Sequence, residues 1–92
     1  MKMMEPTAAN PFPPTEMKMH MAMMHAAGAD ATETYARKMV EHHRGAIEMS
    51  KLLLANSQDP TIKKIATSSI VEQGREIDAM QAWLRQNGKP AQ

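Results

Sequence analysis

YARKMVEHHRGAIEMSKLLL, residues 35–54, is the stretch that decides the fold. Tyr35, Met39, His42, Ala46, Met49 and Leu53 recur at steps of four and three, which keeps them on one side of an α-helix. Ala36, Val40, His43, Ile47, Ser50 and Leu54 form the stripe beside it, and Lys38, Glu41, Arg44, Glu48 and Lys51 fall mostly on the opposite side. Two adjacent histidines stand where leucines would be expected in a core-facing helix, with Met39 and Met49 on either side.

Outward from this helix the boundaries are marked by capping residues. Asp30 with Glu33 three residues later resembles a capping box, and the pattern predicts a helix over about 31–55. Asp59-Pro60 supplies the N-cap and first position of a next helix over 60–86, stopped by Asn87-Gly88. Upstream, Thr15 as N-cap and Gly28 as stop predict a shorter helix over 15–27. Residues 1–14 carry four prolines and read as an extended arm, which Phe12 pins onto the helices. The expected layout is an arm (1–14), an all-α antiparallel bundle (15–87) and a short tail (88–92).

Composition narrows the function. Ninety-two residues make one small domain, and a chain of this size buries only about 60–65% of its unfolded surface. A net charge of +1 without a basic face excludes nucleic acid as partner, and no run of about 18 apolar residues offers a membrane span. The absence of cysteine removes disulfides, thiolate metal sites and a cysteine nucleophile. No signal peptide is visible at the start of the sequence. Eleven methionines are an unusual apolar supply.

The methionines and histidines recur where they could meet. Met17, His20, Met21 and Met24 share one face of the first helix. The third helix carries the stripe Ile62, Ala66, Ser69, Gln73, Glu76, Met80 and Trp83, polar in its middle, with Gly74 offering a close helix approach. A short turn makes the second and third helices antiparallel neighbours, and reflection about it pairs residues whose numbers sum to about 115. His42 is then expected beside Gln73, Met39 beside Glu76 and Tyr35 beside Met80. The first helix is expected to return to the same end, placing Met17, His20, Met21 and Met24 near Met39, His42 and His43.

Imidazoles mixed with thioethers select a soft cation, Cu(I) or similarly Ag(I), over hard ones, while zinc rarely uses thioether. No Glu-x-x-His pair is present for a di-iron site, and no His-Glu-x-x-His or serine nucleophile arrangement suggests an enzyme. The candidate ligands are Met39, His42, His43 and Met49, then Met21, Met24, His20 and Met80. Gln73 and Glu76 are read as groups that hydrogen-bond a liganding imidazole, because ligand histidines commonly give their second N–H to a carboxylate or carbonyl. The bland alternative is a methionine-lined groove that grips a partner helix, its histidines making structural hydrogen bonds.

Met39-x-x-His42-His43-x-x-Ala46-x-x-Met49, followed by Gln73-x-x-Glu76-Ile77-x-x-Met80-x-x-Trp83-Leu84, resembles the bacterial "domain of unknown function 305" family. The resemblance covers about Met17 to Leu84. It implies a ferritin-like helical bundle; separately, three helices of unequal length leave one apolar face uncovered, which predicts a homodimer that completes a four-helix arrangement. The resemblance also implies an exported, periplasmic protein linked to copper resistance, holding Cu(I) or Ag(I) through Met and His.

Overall fold

The computed structural model describes residues 5–92, which form helices, the short segments joining them and a terminal segment at each end. Three helices run in the order α1 (Pro13–His25), α2 (Ala31–Asn56) and α3 (Pro60–Gln86), and no strand occurs among the described residues. Residues 1–4 of the expected arm lie outside this description.

Local chemistry sets most of the boundaries. Asp30 accepts a hydrogen bond from the Glu33 N–H and caps α2; Asp59 accepts from the Ile62 N–H and caps α3, with Pro60 at the first position. At the other end of α3, Gly88 takes φ +71°, the Gly88 N–H bonds to the Arg85 carbonyl and the Lys89 N–H to the Leu84 carbonyl. This is a Schellman termination, and it turns the chain back along the helix. α1 differs from expectation at both ends. It begins at Pro13 rather than Thr15, without a side-chain cap, because the prolines already hold the φ angle of a first turn. It stops at His25, two residues early, and Gly28 instead gives its N–H to the Thr34 hydroxyl.

α2 is the middle helix. α1 packs on one side of it and α3 on the other, and α1 and α3 do not meet. Both neighbours are antiparallel to α2: Lys18 pairs with Glu48 at 2.9 Å while Lys38 donates to the Met23 carbonyl, and His43 bonds Glu76. The Cα extents of 44 × 34 × 15 Å describe a slab one helix thick. Its radius of gyration, 15.0 Å, exceeds the roughly 12 Å of a compact chain of this length. The buried apolar set is correspondingly small: Ala26, Ala36, Val40, Ala66 and Leu84.

Docking of α1 turns on Gly45. A Cβ there would overlap the Met19 side chain, with Cγ at 2.6 Å and Cβ at 2.7 Å. The close approach expected at Gly74 is therefore made at Gly45; Gly74 has open space around it. Gly45→Leu is expected to push α1 off α2 at a cost of about 1–3 kcal/mol, the usual range for overpacking. Urea unfolding checks this, with Gly74→Leu as the harmless control; equal midpoints would refute the role of Gly45.

The two flat faces of the slab differ. On one, Glu33, Arg37, Glu41 and Arg44 of α2 receive the folded-back tail. Arg37 donates to the Pro90 carbonyl and the Gln92 side chain, Gln92 donates to Glu41, and Lys89 pairs with Glu33. The other face, bare by comparison, carries the Tyr35, Met39, His42, Ala46, Met49 and Leu53 stripe, with Phe12 lying against its Met49–Leu53 end. Glu33 and Arg37 are almost wholly buried and bonded to each other at 2.8 Å. Arg37, the Ala29 N–H and Lys89 together hold the Glu33 carboxyl down from 4.5 to about 2. A carboxylate more acidic in the folded state stabilises the fold above its unfolded value, and that contribution is lost as pH falls from about 4.5 through about 2. The melting temperature is expected to drop more steeply across that window in the wild type than in Glu33→Gln; parallel profiles would show that Glu33 does not drive the loss.

Candidate metal-binding cleft

The α2–α3 seam holds the chemistry. Tyr35, Met39, His43, Glu76, Ala79 and Met80 line one cleft of about 240 Å³. His43 is buried within the seam, and its Nε2 lies against a Glu76 carboxylate oxygen. With Nε2–H donating to that carboxylate, Nδ1 carries the free lone pair, and Nδ1 is buried with no hydrogen-bond partner. The arrangement fixes the tautomer and orients the ring, as outer carboxylates do for liganding histidines.

The pairing is one helical turn away from the expected register. Glu76 reaches His43 instead of Met39, and Met80 shares the cleft with Met39 as well as Tyr35. Side chains on a helix lean toward its N-terminus, so in an antiparallel pair they lean in opposite directions and add about one residue on each helix. Extension of α2 to Asn56 moves the turn later as well.

The remaining candidates are spread apart. His42 is half-buried, edge-on to His43 with ring centroids 5.7 Å apart, and its Nδ1 is buried without a partner. Its expected neighbour Gln73 also has an unpartnered buried oxygen, so no hydrogen bond joins them. Met49 lies in a second cleft, with Phe12, Leu53, Ile62 and Ile65, two turns from His43. The α1 residues are not gathered with the others. α1 turns Met19, Ala22 and Ala26 toward α2, and leaves Met17, His20, Met21 and Met24 exposed. The expected convergence of that stripe with Met39, His42 and His43 fails because Gly45 admits Met19, fixing the opposite edge of α1 as the inner one.

Three features escaped the sequence reading. Tyr35 was placed at the right level but not as a cleft wall. The buried Glu33–Arg37–Lys89 group left only the i,i+4 spacing as a clue. Gly45 left a clearer one, since a glycine inside a strong helix costs about 1 kcal/mol and calls for a packing reason.

Among the described residues no three His, Cys, Asp or Glu side chains come together as a metal site. The nitrogen and sulfur donors of the cleft are the His43 imidazole and the thioethers of Met39 and Met80. That donor set is soft, and it fits Cu(I) far better than zinc or a hard cation.

A family described as "Domain of unknown function (DUF305)" matches residues 1–84. The chain belongs to the DUF305 family. The match spans all of α1 and α2 and most of α3, including every candidate ligand. The chain is also 42% identical over 50 residues to "Uncharacterized protein L153" of Acanthamoeba polyphaga mimivirus, covering 54% of this chain and 33% of that protein. The chain thus spans about a third of the length of this relative. No helix among the described residues is long and apolar enough to cross a membrane.

Proposed function

We propose that this DUF305 chain binds and buffers Cu(I), and similarly Ag(I), without catalytic turnover. One observation carries the reading: Met39, Met80 and His43 line a single cleft, with one His43 nitrogen held by Glu76 and the other buried and unpartnered. Thioether and imidazole together favour a soft monovalent cation, and Glu76 raises the donor strength of the ring. Assembly as a homodimer in a ferritin-like arrangement, and export to the cell envelope in metal resistance, belong to the same reading. Their support is the resemblance of the paired motifs and, for the dimer, the bare face of the slab.

The outer ridge of α1 is a separate place. Met17, His20, Met21 and Met24 lie three and four residues apart, so their Cβ atoms are about 5–6 Å from their neighbours on the helix. α2 stands between this ridge and the α2–α3 cleft, so no ion shares the two. The same exposed ridge also favours the second reading, a methionine surface that grips a partner helix without metal.

Titration of the chain with Cu(I) against a chromogenic chelator separates the readings. The expected result is retention of Cu(I) against the competitor and no comparable retention of Zn(II). A chain that yields all its Cu(I) to a weak chelator would leave the partner-helix reading in its place.

A further inference from the structure

We propose that two copies of this chain dock through the bare face, and that the contact creates a shared soft-metal site from His42 of one protomer and Met49 of the other. The inference rests on the soft-cation and dimer reading above and names the face, the axis and the residues.

Shape gives the first argument. The accessible surface is 6248 Å², whereas a folded monomer of 10.2 kDa exposes about 5,300 Å². The excess is close to the roughly 800 Å² that each partner buries in a standard interface. A slab 15 Å thick has no second layer of its own, and stacking a second slab supplies one.

Sidedness gives the second. The tail and the ion pairs of Glu33, Arg37 and Lys89 close the opposite face. The bare face presents a stripe of α2 without a single charged residue, from Tyr35 through Met39, His42, Ala46 and Met49 to Leu53, with Phe12 against its Met49–Leu53 end. Tyr35 and Ile65 are 65% and 59% exposed on or beside it. Glu76 borders the stripe from α3, its carboxylate bonded to His43 and its side chain 59% exposed. The α2 stripe itself offers a strongly charged partner nothing to pair with, whereas an uncharged apolar stripe suits its own copy.

Geometry gives the third. His42 is half-buried and makes no hydrogen bond to any described residue, so its imidazole is not committed to a partner within the protomer. Met49 lies on the same stripe seven residues away, about 10 Å along the helix axis, so one ion cannot bridge the two within a protomer. A two-fold contact lays the stripe antiparallel on itself. Ala46, the smallest residue of the stripe, sits midway and lets the two α2 helices approach closely. With the axis at Ala46, position 42 of one protomer faces position 50 of the other, one residue from Met49, and two equivalent sites result.

The experiment uses the full chain with Ag(I) as the air-stable probe. Sedimentation of the metal-free wild type is expected to give twice the 10.2 kDa chain mass at about 100 µM, and Ala46→Glu to give the monomer with an unchanged helical circular dichroism spectrum. His42→Ala and Met49→Leu should each lose the shared site. An equimolar mixture, re-equilibrated by dilution and concentration, should regain about a quarter of the sites, because half the dimers are mixed and each holds one intact site of two. A monomeric wild type overturns the proposal. A dimer whose Ag(I) uptake is untouched by Ala46→Glu, or a mixture that regains nothing, overturns the shared site and leaves the α2–α3 cleft standing. A dimer sensitive to Ala46→Glu that takes up no Ag(I) at all overturns the soft-cation reading, and the shared site with it.

Discussion

Replacing Met39 and Met80 by Leu together with His43 by Ala is expected to lower the Cu(I) affinity of the α2–α3 cleft by at least about a hundredfold, roughly 2.7 kcal/mol. The three residues are the donors that line the cleft. Leu nearly matches Met in volume, so its packing cost stays below about 1.5 kcal/mol at each site. Glu76→Gln alone should cost about 10- to 100-fold, because an amide holds the imidazole but no longer strengthens it as a donor. Replacing Met17, Met21 and Met24 by Leu serves as the control, since the α1 ridge lies on the far side of α2. The measurement is competition with a chelator of known Cu(I) affinity. If the cleft variant matches the wild type while the α1 variant loses its metal, the cleft is not the site.

Leu84→Ala is the substitution expected to cost most in stability. Leu84 and Val40 are the largest fully buried side chains, and the rest of the apolar core is alanine. Truncating a buried Leu removes about 2–5 kcal/mol. A domain of this length has about 5–14 kcal/mol in total, so a large share of the margin goes with one residue. The melting temperature should fall by about 10–30 °C, read by circular dichroism at 222 nm. Val71→Ala, at 48% exposure on the outer edge of α3, should shift it by only a few degrees. A comparable shift in both variants would mean that stability does not reside in the buried α2–α3 seam.

The helices were legible because their signals are local. Asp59-Pro60 and Asn87-Gly88 bracket α3 with side chains and backbone angles that act within a few residues, and Asp30 does the same for α2. α1 was two residues out at each end, since its start depends on proline geometry rather than on a capping side chain. Within the candidate site, the chemistry of liganding histidines suggests Glu76 as a hydrogen-bond partner for an imidazole, while spacing alone places it beside Met39. The choice of His43 over His42, and the meeting of Met39 with Met80, depended on the lean of side chains in an antiparallel pair.

The sequence by itself determined three antiparallel helices, their caps, and a supply of imidazole and thioether on α2 and α3 facing one another across a short turn. Periodicity and capping act over one or two helical turns, and a three-residue connection leaves α2 and α3 little choice of partner. Only the tertiary structure decided which edge of α1 turns inward, that α1 and α3 lie on opposite sides of α2, and that the tail closes one face of the slab. Those outcomes rest on contacts between residues far apart in the chain: Met19 entering the space left by Gly45, and Arg37 reaching Pro90 and Gln92. A helical wheel gives every stripe of α1 its composition but not its neighbour, so the methionines of Met17, Met21 and Met24 look like ligands in the sequence and stand on the outer rim in the fold.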